Sequence, residues 1–301
     1  MKGHKHVIDI IGNNPDKKLI VVGGMHGNES SGVVAINNIL PEIKKHLNHT
    51  GTVYFLKGNI EALSMGERFI DMDLNRLWLD KYIHSDDIEF SDIKSLQSLH
   101  SLIVNNICNG NFDNCTFVDL HTFSAESGIF CIPSGNRKSV AMAQSYGVPF
   151  IEKLSEMLPG TALRYFGMKG MTSIVFEGGT HQTDDAVKNL EAALWQSLSY
   201  AKMIDNQLDI IKESQNRLKE ISEKYPHHLE LIYRHKLENY QDFKMRSGYY
   251  NFKPVQKSEA LALQDQSEIK SPASGYMLMP LYQKKGSDGF FIVKEKEADY
   301  V

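Results

Sequence analysis

The chain is poor in cysteine, tryptophan and proline, with three Cys, two Trp and nine Pro among 301 residues. Its cysteines, Cys108, Cys115 and Cys131, are odd in number and include no CxxC pair. That argues against a disulfide framework or a cysteine-based zinc finger, and it predicts three buried thiols in a reducing compartment. Long apolar runs are also missing: none approaches the ~20 residues that a membrane-spanning helix needs. The basic start Met1–His6 runs into Asp9 and then Asn13-Asn14-Pro15-Asp16, where a signal peptide would need an unbroken apolar stretch. Nor is there an excess of positive charge, since 33 Lys and Arg face 37 Asp and Glu, a net of −4. A dedicated nucleic-acid binder would show a basic face or stripe. These absences predict a cytoplasmic protein with no nucleic-acid or membrane partner.

What is present suits a globular protein, with 42% hydrophobic and 23% charged residues. Leu19-Ile20-Val21-Val22, ending in Gly23-Gly24, reads as a strand buried on both faces. Further strands are expected at Thr52–Leu56, Cys115–Leu120, Gly128–Ile132 and Thr172–Phe176, with helical spacing at Val33–Leu47 (Pro41 a kink) and Ile93–Ile107. Strands alternating with helices imply an α/β fold with a mixed, mainly parallel central sheet flanked by helices. From Asp184 to Leu218 apolar residues recur at helical steps, as one long helix or two consecutive ones facing the sheet. A coiled-coil seam is the competing reading, weakened by Ser197, Gln215 and Ser222, and the exposed faces leave a homodimer open. After Tyr225-Pro226 the texture turns β-rich. Strand-like pieces lie at Glu230–Tyr233, Tyr276–Met279 and Phe290–Val293, the last two joined by a connection whose two glycines are expected to supply positive φ. Two units follow, residues 1–225 and a small all-β domain at 226–301.

In parallel α/β sheets ligands bind beyond the carboxyl ends of the strands. Beyond the first strand comes Gly23-Gly24-Met25-His26-Gly27-Asn28-Glu29, beyond the third His121, and beyond the fifth Glu177. The loop after the second carries Arg68, Asp73, Asn75 and Arg76. Two histidines and one carboxylate form a complete protein ligand set for a catalytic zinc ion, with the fourth position left to water. His26 and Glu29 come from one glycine-rich loop, His121 from the neighbouring strand end. Asp119 shares a strand face with His121 and could orient it. Taken singly, each feature has a plainer explanation: loop hydrogen bonding for the His-x-x-Glu pair, a polar strand end for His121, a counter-ion for Glu177, a capped turn for Asp73–Arg76. Their shared placement at strand ends favours a site.

The ordered set Gly-Met-His26-Gly-Asn-Glu29, Asp73-Leu74-Asn75-Arg76, Asp119-Leu120-His121 and Glu177 resembles the succinylglutamate desuccinylase and aspartoacylase family of zinc-carboxypeptidase-like hydrolases. The resemblance implies a zinc-carboxypeptidase-like catalytic domain and one zinc ion per chain on His26, Glu29 and His121. It also implies Glu177 as the catalytic carboxylate and Arg68 as the group polarising the scissile carbonyl. Asn75 and Arg76 would grip the substrate's free α-carboxylate, a role for which a guanidinium fork is suited. The expected reaction is hydrolysis of the amide of an N-acyl amino acid. A carboxypeptidase or peptide amidase using the same site, and a metal-binding interaction module, are the alternatives. A structural zinc would need a fourth protein ligand, for which His181, His100 and Asp73 are candidates. Arg164 and Lys169 are candidates for holding an anionic substrate group.

Overall fold

The structure, a computed structural model, describes residues 1–86, 89–238 and 242–296. Eight strands precede or enter the last quarter of the chain: β1 (Val7–Ile11), β2 (Lys18–Gly23), β3 (Thr52–Lys57), β4 (Cys115–Phe123), β5 (Phe130–Pro133), β6 (Phe150–Glu152), β7 (Thr172–Thr180) and β8 (His228–Lys236). Six follow: β9 (Phe243–Met245), β10 (Pro254–Val255), β11 (Ala260–Gln264), β12 (Ser267–Lys270), β13 (Gly275–Leu278) and β14 (Asp288–Glu295). Eleven of these form one sheet in the order β1-β3-β2-β4-β7-β5-β6-β8-β14-β13-β10. Its middle, β3-β2-β4-β7, is parallel, whereas β5 runs antiparallel to β7. The expected mixed α/β architecture is therefore the one observed, and the C-terminal strands β8, β14, β13 and β10 continue the same sheet. A second, three-stranded sheet, β12-β11-β9, lies beside them.

The apolar runs explain the layering. Leu19 and Val21 of β2 point into a core with Ala35, Ile36, Ile39 and Ile43 of the helix Ser31–His46 and with Leu190, Leu194 and Leu198 of the helix Asp184–Tyr200. Ile20 and Val22, on the opposite face, pack with Leu96, Leu99 and Ile103. A strand covered on both sides must be apolar at every position, which is why β2 shows no alternation. Cys108, Cys115 and Cys131 are free and buried, as expected. No helix among the described residues is long and apolar enough to cross a membrane.

Several local expectations are corrected. The helix Ser31–His46 runs on through Pro41; Pro41 and Asn37, whose carbonyl the proline cannot serve, both lie on its exposed face. Of the two readings offered for Asp184–Leu218, two consecutive helices are observed, Asp184–Tyr200 and Asp209–Ser222, separated by a turn in which Lys202 adopts φ 56°. The helix from Ser91 widens into a π-turn over Leu102–Ile107. In the 283–289 connection neither glycine has positive φ. They are needed for close approach instead: a Cβ on Gly289 would lie 2.6 Å from Phe243 Cζ, and one on Gly286 would lie 2.7 Å from Leu281 Cδ1.

Candidate metal centre and active-site cleft

The residues that the sequence places on one rim do meet. The loop after β2 is folded hard against the loop after β3. Gly24 takes φ +72°, and a Cβ on Gly27 would stand 2.0 Å from the Ala62 carbonyl carbon. Gly27 N–H donates to the Arg68 carbonyl at 3.2 Å, which ties the His26 loop to the arginine segment. His121 and Glu177 lie inside β4 and β7 rather than beyond them, because both strands run on past the expected ends to Phe123 and Thr180. They pair in register, side by side, with an irregularity just after them between His121 and Phe123.

His26, Glu29 and His121 are each no more than 4% exposed, and their ligand atoms lie within 4.8 Å of one another. Glu29 sits between the rings, Oε1 2.8 Å from His26 Nδ1 and Oε2 3.0 Å from His121 Nδ1, with the Thr122 N–H donating to Oε2 at 3.0 Å. The far nitrogens are backed by carboxylates: His26 Nε2 is 3.1 Å from Asp73 Oδ1, and His121 Nε2 is 2.9 Å from Asp119 Oδ2. Backing of this kind fixes ring orientation and raises basicity in metal-ligating histidines. Burial works against charge here, yet the neighbouring histidines hold the Glu29 carboxyl well below its ordinary range. Burial likewise opposes charge on His121, but Asp119 and Glu29 hold its imidazole well above the ordinary histidine range. The arrangement therefore favours positive charge among the buried carboxylates of Glu29 and Asp119 and the half-buried one of Asp73. Two imidazoles and a carboxylate are the donor set a divalent zinc ion prefers, so the residues fit that ion.

Arg68 and Asp73 form the wall beside this cluster. Arg68 Nε and Nη2 donate to Asp73 Oδ2 at 3.2 and 3.0 Å, and Nη1 stands 3.5 Å from Glu29 Oε1. Asp73 also caps the short 3₁₀ helix Leu74–Arg76 by accepting from the Asn75 N–H at 3.0 Å. The capped-turn explanation and the site explanation thus hold together. Asn75 accepts from the Ala162 N–H at 3.0 Å and points its Nδ2 toward His121 Nε2 at 3.5 Å. Arg76 is spoken for on one edge: Nε donates to Ser287 Oγ, Nη1 to the Asn75 carbonyl and Nη2 to Asp288 Oδ2, at 3.2, 2.8 and 3.0 Å. Of the five guanidinium N–H groups, one on each terminal nitrogen is left over.

Glu177 is 6% exposed and its Oε2 has no hydrogen-bond partner. Burial, with Glu29 and Asp119 nearby, pushes its carboxyl up to about 8. A carboxylate at that value takes and returns protons near neutrality. Glu177, the three metal-ligand candidates, Arg68, Asn75 and Arg76 all line one cleft with a volume of about 120 Å³. Its roof comes from the C-terminal part, Met279 to Asp288, where Gln283 Oε1 accepts from Asn28 Nδ2 at 3.0 Å and lies 3.3 Å from His181 Nε2.

Other expectations fail. Arg164 turns away to the Glu156 carbonyl, and Lys169 lies over the Tyr165 ring, 4.7 Å from its centroid; neither lines the cleft. Both sit on or just after the helix Ala162–Met168, Arg164 half-buried and Lys169 exposed. His100 pairs with the Tyr165 hydroxyl at 2.7 Å, outside the cleft. His181 does line it, held by Thr122 Oγ1 at 2.7 Å.

Two residues escaped sequence reasoning. Asp288 reads as a turn residue in Gly286-Ser287-Asp288-Gly289, but it bridges Arg76 and Arg234, the latter at 2.6 Å. Asp92 reads as an ordinary acid in a helix's first turn. It is fully buried, and it accepts from Asn59 Nδ2 and from the N–H groups of Ile70, Asp71 and Met72. Asp92 thereby shapes the segment between Arg68 and Asp73. Replacing Asp92 with alanine leaves those donors unpaired and is expected to cost about 3–5 kcal/mol. Denaturant unfolding would check this; a loss below about 1 kcal/mol would show that the segment holds its shape by other means.

Comparison with known proteins agrees with the geometry. The succinylglutamate desuccinylase/aspartoacylase catalytic domain matches residues 15–167, just over half of the chain. A succinylglutamate desuccinylase from Ectopseudomonas mendocina (strain ymp) is 35% identical over 72 residues, 24% of this chain and 21% of that protein. The chain thus spans about a fifth of that relative's length. Across nearly the whole molecule, the fold is similar to that of a succinylglutamate desuccinylase/aspartoacylase from Rhodobacter sphaeroides (TM-score 0.68, 15% identity, 97% of this chain and 88% of the other). It is also similar to murine aminoacylase 3 (TM-score 0.63, 16% identity, 94% and 96%). The family match runs from the approach to β2 through the helix that carries Ala162, and it contains the loop, strand and turn that supply six of the seven candidate site residues; the chain belongs to the succinylglutamate desuccinylase/aspartoacylase family.

Proposed function

We propose that this protein is a zinc-dependent amidohydrolase that cleaves the amide bond of an N-acyl amino acid. The observation that carries the reading is the pairing of a buried His26/Glu29/His121 cluster with a buried Glu177 on the adjacent strand, whose Oε2 has no hydrogen-bond partner. When bound, zinc supplies Lewis-acid charge at the scissile carbonyl and acidifies water toward neutrality. In its ionised form Glu177 takes the proton from the attacking water and returns it to the departing amine. Arg68, held rigid by Asp73, adds fixed positive charge where the carbonyl oxygen becomes anionic; losing one such donor typically costs ~3 kcal/mol of barrier. Asn75 and the free edge of Arg76 hold the α-carboxylate, with Asp288 and Ser287 fixing the guanidinium plane.

In this reading the chain divides at 225/226, and the second unit closes the cleft through its 279–288 segment. The names of relatives, succinylglutamate desuccinylase and aminoacylase 3, support an acylated amino acid as substrate. A small roofed cleft suits that better than a long peptide. The test is a panel of N-acetyl and N-succinyl amino acids, with short peptides alongside, on the zinc-loaded protein. Release of free amino acid from the acylated members supports the reading; cleavage of peptides alone would replace it with a carboxypeptidase.

A further inference from the structure

The floor of the cleft carries information on which amino acid is released. Across the sheet, His121, Glu177 and Phe130 form one row; one two-residue step along the strands, Asp119, Val175 and Ile132 form the next. Val175 and Ile132 therefore face the cleft on the same side as Glu177, about 7 Å from it along the strand. Leu158, Leu163 and Phe291 join them in lining this end. These five belong to one buried apolar cluster, so the floor is the open edge of a packed core. It is also tied to the carboxylate grip, since Leu163 follows Ala162, whose N–H holds Asn75 Oδ1.

The charges point the same way. Among the described residues lining the cleft, the only Lys or Arg side chains are Arg68 and Arg76, and each is engaged by a carboxylate, Asp73 and Asp288 respectively. The remaining acidic residues there, Glu29 and Glu177, offer a second carboxylate no positive charge. A substrate side chain bearing a carboxylate would lie on an apolar floor without a cation to receive it, which burial penalises heavily.

We propose that this floor is the subsite for the side chain of the amino-acid half, and that it selects uncharged, apolar side chains such as those of leucine, methionine or phenylalanine over those of aspartate and glutamate. The inference rests on the N-acyl amino acid reading above. The side chain and α-carboxylate branch from one carbon, so a carboxylate held at Asn75 and Arg76 sets the side chain against Leu163 and Val175. The acyl group leaves the carbonyl on the other side of the scissile bond.

Two measurements separate this claim from the reading beneath it. The first compares kcat/KM of the zinc-loaded protein for N-acetyl-L-leucine, N-acetyl-L-phenylalanine, N-acetyl-L-aspartate and N-succinyl-L-glutamate. The second measures equilibrium binding of N-acetyl-L-leucine and N-acetyl-L-aspartate to metal-free protein by calorimetry. The expected result is a preference of at least about a hundredfold for the apolar members in turnover, and tighter binding of the leucine compound without metal. Leu163→Arg should reverse the order, and Val175→Ala should weaken leucine binding with circular dichroism unchanged. Turnover that favours the acidic members, or that depends on acyl length and not on the side chain, would overturn the subsite while leaving the amidohydrolase intact. Absence of turnover together with selective leucine binding would support the subsite and overturn the amidohydrolase. If neither turnover nor binding occurs, both are wrong.

Discussion

Glu177→Gln is expected to lower kcat by about 10²–10⁴-fold while leaving metal content unchanged. Glutamine keeps the shape and reach of the side chain but cannot accept and return a proton. It removes no metal-ligand candidate: Glu177 pairs in register beside His121, yet no hydrogen bond holds its Oε2. Stability should not suffer. In the metal-free protein burial pushes the folded carboxyl up to about 8, so at pH 7 its ionised form is disfavoured relative to the unfolded chain's carboxylate. Folding therefore already acts against the charge at that pH, and a neutral amide relieves this opposition. The unfolding midpoint is expected to stay the same or rise. Parallel kinetics, metal analysis and denaturant unfolding check all three points. Full activity in the variant would remove Glu177 from the chemistry, and lost metal would move it into the ligand set.

His121→Ala is expected to abolish both turnover and stoichiometric metal binding, and to destabilise the metal-free protein by about 3–5 kcal/mol. The second effect follows from the carboxylates on either side. Asp119 is completely buried and Glu29 almost so, and the imidazole between them is their shared positive partner. Removing it leaves two buried charges facing each other across a void. Asp119→Asn is the milder companion: it keeps the imidazole but weakens its backing, and metal affinity is expected to fall 10–100-fold. Metal titration and chemical unfolding of the three proteins give the comparison. If His121→Ala binds metal as tightly as the parent, the ligand set is elsewhere.

The sequence made some parts of this molecule plain and hid others for definable reasons. β2 was visible because a strand buried on both faces has to be apolar throughout, and Leu19–Val22 allow little else. The ligand candidates were visible because imidazole and carboxylate groups at strand ends are chemically scarce and the chain order keeps them apart. The two-residue period also placed Asp119 behind His121, a contact of 2.9 Å in the structure. Contacts across long sequence distances left no such mark. Asp288 reaches Arg76 over 212 positions, and Asp92 reaches the Ile70–Met72 backbone over about twenty. An aspartate in a turn and an aspartate in a helix's first turn are commonplace, so nothing local separates them from surface residues. The apolar lining of the cleft was hidden for the same reason. Arg164 and Lys169 looked suitable by charge alone, whereas the cleft floor is built from Ile132, Leu163 and Val175, which read only as core.

The most direct measurement is a calorimetric zinc titration of the parent protein and of Glu29→Gln, paired with anomalous diffraction from zinc-loaded crystals. The parent is expected to bind one zinc ion per chain, with a single anomalous peak among His26, Glu29 and His121, and Glu29→Gln is expected to lose that binding. Zinc held equally well by Glu29→Gln, or a peak bonded to other side chains, would contradict the metal centre on which the proposed chemistry depends.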